Sequence, residues 1–114
     1  MAIVQGAEGL TIRFDANLDL TGSTPSLLVR KPSGATASAL GTVATATGSF
    51  VLDNRNDNST ENFESSQYFT VTSASDLFDE AGTYKLQARI TASADPKLLF
   101  SPAIDVEVEE NELG

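Results

Sequence analysis

Between Thr83 and Thr91 the chain alternates without a break. Tyr84, Leu86, Ala88 and Ile90 fall on one face, and Thr83, Lys85, Gln87 and Arg89 on the other. Successive side chains of an extended strand point to opposite faces, so a period of two marks a half-buried antiparallel strand and is incompatible with the 3.6-residue period of a helix. Shorter versions recur along the chain. Leu10, Ile12 and Phe14 point inward from Leu10–Asp15, and Leu18 and Leu20 continue the alternation. Phe50 and Leu52, then Phe69 and Val71, make two further inward pairs. In the last strand, about Lys97 to Glu109, Ile104, Val106 and Val108 face in while Asp105, Glu107 and Glu109 face out.

Other segments are less definite. Ser26–Lys31 reads as a strand with either Leu27 and Val29 or Leu28 and Arg30 inward. Ala2–Gln5 is a short strand or ordered arm, and Thr36–Val43 is an Ala-rich strand in which Gly41 marks a bulge or bend. Turn signals separate these runs: Thr21–Pro25, Lys31-Pro32-Ser33-Gly34, Thr45–Gly48 and Ala92–Pro96. Pro102 demotes the start of the last strand to an edge or a bulge. Ser73–Phe78 is expected to form one helical turn capped by Ser73 or Ser75, with Leu77 or Phe78 closing one end of the core. Seven to nine short antiparallel strands with this spacing of turns predict an all-β sandwich, with a small barrel as the competing architecture. The 114 residues suit one domain, 1–114, with a short N-terminal arm (1–8) and an acidic C-terminal tail (110–114).

Composition narrows the chemistry. Cys, His and Trp are all absent, so the sandwich is disulfide-free and lacks the most frequent general base and the most frequent metal ligands. The net charge of −9 opposes binding to nucleic acid or to an anionic membrane. No run is apolar enough to span a bilayer, and Met1–Gly6 does not read as a signal peptide.

The polar segment Asp53–Ser66 reads as a long loop whose one large apolar residue is Phe63. Its carboxylates Asp53, Asp57, Glu61 and Glu64 are the available metal-ligand candidates. Arg55 at the third position and the absence of Gly at the sixth break the calcium-loop pattern, so the segment is expected to be a solvated loop and no cofactor is expected. No Ser–His pairing or nucleophile elbow exists, and outward acids on strands do not make a two-carboxylate cleft. The chain is therefore expected not to be an enzyme. Tyr68, Phe63 and the loop form a candidate carbohydrate-stacking set. Asn58-Ser59-Thr60 matches a glycosylation acceptor by chance, given no secretion signal.

Asp79-Glu80-Ala81-Gly82-Thr83-Tyr84 resembles the E–F corner of immunoglobulin-like domains, where a Tyr hydroxyl bonds back to upstream backbone. Asp79, Gly82 and Tyr84 are the corner residues. Leu86 stands where such domains place a disulfide Cys, so the resemblance implies an immunoglobulin-like β-sandwich of the disulfide-free kind. The order Gly-Leu-Thr-Ile-Arg-Phe, Asp19–Thr24, Val29–Gly34 and then this corner is similar to small immunoglobulin-like virion structural proteins of tailed bacteriophages, both the head-decoration type and the N-terminal module of upper baseplate proteins. That likeness implies a virion component assembled in the host cytoplasm. It also implies contacts with other virion proteins (the major capsid protein, or tail and baseplate subunits), and self-association is compatible with it. Ile3 and Val4, and Ile104, Val106 and Val108 in the last strand, are the candidate partner-binding edge, because an unpaired strand edge invites strand addition.

Overall fold

The computed structural model describes residues 3–52, 59–92 and 97–113. Within them the chain is all-β, without a helix: β1 (Ile3–Val4), β2 (Thr11–Asp15), β3 (Thr24–Arg30), β4 (Thr36–Leu40), β5 (Thr42–Val43), β6 (Gly48–Val51), β7 (Thr60–Phe63), β8 (Tyr68–Thr72), β9 (Gly82–Thr91), β10 (Leu98–Phe100) and β11 (Ile104–Glu109). These eleven segments exceed the expected seven to nine. Two expected strands are each split in two, and one strand lies inside the segment read as a loop.

The larger sheet has the order β1-β11-β9-β3-β4, with β10 also on β9, and curls into a half-barrel. A three-stranded sheet, β2-β8-β5, faces it, and β6-β7 form a separate hairpin. The strand pairs are antiparallel except β1 on β11, which is parallel, with Ile3 opposite Val108. The alternation in β9 is realised as read. Tyr84, Leu86, Ala88 and Ile90 are buried, and they meet Ile12, Phe14, Phe69 and Val71 from the facing sheet in one apolar cluster. In β3 the inward pair is Leu27 and Val29. Phe14 and Phe69 stack at 5.6 Å between ring centroids, near the middle of this core.

Both splits have a physical cause. β4 belongs to the large sheet and β5 to the small one, and Gly41 between them lets the chain cross over. A methyl group at Gly41 would run into the Phe69 ring. Between β10 and β11, Pro102 has no N–H for a ladder. Ser101 bridges the interruption, its hydroxyl accepting from the Ala88 N–H at 3.0 Å and its backbone N–H donating to the Ala88 carbonyl at 3.0 Å.

The segment read as a loop to Ser66 contains β7, with Phe63 opposite Gly48 and Glu61 opposite Phe50. Phe63 organises a second cluster with Leu52, Tyr68 and Phe50, and the Arg13 guanidinium lies over the Phe50 ring at 4.2 Å. The expected helical turn is a tight turn at Ser75–Phe78, with both Leu77 and Phe78 buried. Ser73 does not cap it. Its hydroxyl accepts from the Leu10 N–H at 3.1 Å and so ties the turn to the strand opening. Leu18 is exposed, because Asn17 adopts a positive φ of 53° and ends the alternation of β2.

Two sequence motifs that lie far apart meet at one end of the large sheet. The Tyr84 hydroxyl accepts from the Glu80 backbone N–H at 2.9 Å, and the ring packs edge-on against Phe78 at 5.4 Å. Lys31, from the Lys-Pro-Ser-Gly turn, donates to the Asp79 carboxylate at 2.7 Å and to the Asp76 carbonyl at 2.9 Å. Ser33 donates from its backbone N–H and its hydroxyl to the two Glu80 carboxylate oxygens. The β3–β4 hairpin is thus clamped to the corner that launches β9. Tyr84→Phe removes the hydroxyl that accepts from a partly buried N–H and is expected to cost about 1–2 kcal/mol; denaturant melts of the two proteins measure it, and an unchanged midpoint would contradict the corner bond.

The clamp is also pH-dependent. The hydrogen bond from Lys31 holds the Asp79 carboxyl below its ordinary value of 3.8, and the same bond raises the Lys31 ammonium. A lowered carboxyl contributes stability that is complete above pH 3.8 and is lost as pH falls through the folded value below it. The gap in melting temperature between wild type and Asp79→Asn is therefore expected to be constant near neutrality and to close in acid below pH 3.8. A gap that persists in acid would show that the carboxylate charge is not what holds the turn.

Candidate interaction surface

The strand register decides what lines the outer face of the large sheet, the side turned away from the core. Odd-numbered residues of β9 point away from the core. Across the ladder, Arg30 lies opposite Lys85, Leu28 opposite Gln87 and Ser26 opposite Arg89. The adjoining strand places Leu40 beside Ser26, Ser38 beside Leu28 and Thr36 beside Arg30. On the other flank Phe100 lies opposite Arg89, and Leu98 opposite Thr91.

Two chemistries follow from this arrangement. The centre is a groove of about 570 Å³ walled by Arg30, Lys85, Arg89, Ser38 and Gln87, with Leu28 among its apolar lining. It gathers three of the seven cationic residues of a chain whose net charge is −9. Lys85 pairs with Asp105 at 2.8 Å, an exposed pair of the kind that contributes little. Arg30 and Arg89 make no ion pair among the described residues. One end of the face is apolar: Leu40 is 74% exposed, Leu98 56% and Phe100 54%. Exposed apolar residues in one row with Arg89 match the composition of protein-docking surfaces, where aromatic residues and Arg are enriched.

The residues singled out from sequence are placed as follows. Asp79, Gly82 and Tyr84 form the corner described above. Ile3, Val106 and Val108 are buried in the core, Ile104 is half-buried and Val4 is partly exposed. Within the candidate partner-binding edge the two segments pair with each other, Ile3 on Val108 and Val4 on Glu109, so that β11 lies inside the sheet while β1 is its outer strand. Asp53 and Asp57 lie outside the described residues. Glu61 sits on β7 and Glu64 just beyond it, and among the described residues no group of three or more Asp, Glu, His or Cys could hold a metal ion. Phe63 and Tyr68 are buried against each other at 4.7 Å, and the Tyr68 hydroxyl donates to the Ala46 carbonyl at 2.8 Å, so these two rings are committed to the core rather than to a sugar. No helix among the described residues is long and apolar enough to cross a membrane.

The comparisons with known proteins give no further guide: no family model, curated protein or solved structure matches this chain. The outer face was not apparent from sequence. Its cations come from β3 and β9, more than fifty positions apart between Arg30 and Lys85, and only the register brings them together. The available signal was the outward half of the alternation in β9, where Lys85, Gln87 and Arg89 stand.

Proposed function

We propose that this chain is a non-enzymatic structural protein of a tailed bacteriophage virion, a capsid decoration protein with an immunoglobulin-like sandwich, assembled in the host cytoplasm and acting through protein–protein contacts. The observation that carries the docking role is the outer face of the large sheet, with exposed Leu40, Leu98 and Phe100 beside Arg89. The immunoglobulin-like reading is supported by the strand order, by a first strand parallel to the last, and by the Tyr84 corner with its hydroxyl bonded four residues upstream. The virion reading is supported by the motif order in the sequence and by a surface suited to binding protein rather than transforming a small molecule.

In this reading the apolar end of the face docks on the major capsid protein. Exposed Leu and Phe side chains gain about 25 cal/mol for each Å² of apolar area they bury, and repeated copies around symmetry axes add up to a stabilised shell. The test is quantitative binding of the purified chain to phage particles that lack it. A fixed number of copies per capsid hexamer or pentamer is expected. Saturation at a number matching the tail or baseplate symmetry instead would move the chain to that site, and absence of binding to any particle, with retention on a glycan array, would replace the proposal with a carbohydrate-binding role.

A further inference from the structure

The basic groove has a counterpart on the same molecule. Beyond the end of β11, Val4, Glu109, Glu110, Asn111, Glu112 and Leu113 border a second concavity of about 530 Å³. Its chemistry is the inverse of the groove: Glu109, Glu110 and Glu112 stand where the groove has Arg30, Lys85 and Arg89. Each also offers exposed apolar atoms, with Leu113 fully exposed and Val4 partly so. The acidic segment is tied to the strand beside it. Gln5 donates from its N–H to the Glu109 carbonyl at 2.7 Å, and the Asn111 side-chain amide donates to the Gln5 carbonyl at 3.3 Å. These bonds fix the segment at the β1 side of the sheet, whereas the groove lies over β4, β3 and β9. A chain tied in this way does not fill its own groove.

We propose that the groove receives the acidic segment Glu109–Leu113 of a second copy of this chain. The inference rests on reading the outer face as a docking surface, and it names the occupant of the groove. Arg30 and Arg89, which have no ion pair among the described residues, meet the glutamates, and Leu113 packs toward Leu28. The two patches are different surfaces of one molecule, so the contact is heterologous: it runs head to tail and closes into a ring, or extends as a row, according to its rotation. Because a net charge of −9 opposes association of the copies, the attraction is local and falls steeply with salt.

Sedimentation of the purified chain at low and high ionic strength tests this without any particle. Concentration-dependent association is expected at low salt and its loss at high salt. Arg30→Glu with Arg89→Glu, and separately Glu110→Lys with Glu112→Lys, are each expected to weaken association by roughly tenfold or more, since both lose attraction and add like-charge contacts. Melting curves identify any variant that fails to fold, and in that case Arg30→Gln with Arg89→Gln takes its place. Mixing the two charge-reversed proteins restores association, because each presents a segment complementary to the other's groove. A wild-type chain that stays monomeric at low salt and millimolar concentration overturns the proposal, as does a mixture that remains monomeric. Particle binding is read separately: a monomeric chain that still decorates particles defeats the head-to-tail contact and leaves the decoration role standing, whereas an associating chain that ignores particles does the reverse.

Discussion

Gly41→Val is expected to lower the unfolding free energy by about 3 kcal/mol, the upper part of the range for forcing extra carbons into a packed core. For a domain of this size that corresponds to roughly 15 °C in Tm. The reason is steric rather than conformational. Gly41 does not use a left-handed backbone, but it is the point where the chain leaves the large sheet for the small one, and its backbone passes against the face of the Phe69 ring. Phe69 cannot retreat, because it is fully buried and stacked on Phe14. The ring is also the basis of a stricter check. Phe69→Leu alone leaves a void and destabilises. In the Gly41→Val background it also makes room, so the pair is expected to be less damaging than the sum of the singles by roughly 1–2 kcal/mol. Strict additivity in denaturant melts would mean that something other than the Phe69 ring holds position 41 to glycine.

The second large effect is expected at the corner. Gly82→Ala should cost about 2–3 kcal/mol, through strain of the kind carried by residues held outside the usual backbone regions. Two causes combine here. Gly82 has φ of +129°, a conformation open in practice to glycine alone, and a Cβ there would lie 2.9 Å from Pro32 Cγ. Replacing Pro32 with Ala removes the Cγ contact but keeps a Cβ at 3.0 Å, and it leaves the φ penalty. Pro32→Ala is therefore expected to recover only part of the loss in the Gly82→Ala protein, and full recovery would show that the backbone angle is not the constraint. Both glycines stand where sheets meet or begin, so each substitution tests how the strands are routed as well as how tightly they pack.

The contrast between these glycines shows what could be read in advance. Gly82 announces itself through the Asp-x-x-Gly-x-Tyr pattern. Gly41 could be read only as a bend, because no local signal says that β4 and β5 belong to different sheets. The alternation of β9 and β11 gave strand, face and core together, since a period of two is a local property. β7 was missed because Thr60-Glu61-Asn62-Phe63 offers one large apolar residue, and its pairing to β6 is set by the partner strand. The parallel pairing of Ile3 with Val108 joins opposite ends of the chain and leaves no mark in either segment, so the flanking of β11 by β1, with β1 as the outer strand, could not be read in advance. The same holds for the clamp. The Lys-Pro-Ser-Gly turn and the corner were each legible, but the bonds Lys31–Asp79 and Ser33–Glu80 span more than forty residues. The candidate site is the least legible feature, because Arg30, Leu40, Arg89 and Phe100 converge only through register.

The most direct test of the central claim is particle binding by a chain altered only at the apolar end of the outer face. Leu98→Asp with Phe100→Asp should leave the melting temperature close to that of wild type, since both side chains are more than half exposed and such surface changes usually fall within about ±0.5 kcal/mol. This protein is expected no longer to saturate particles that bind the wild-type chain at fixed copy number. Undiminished binding by the folded double variant would contradict it and place the docking surface elsewhere on the molecule.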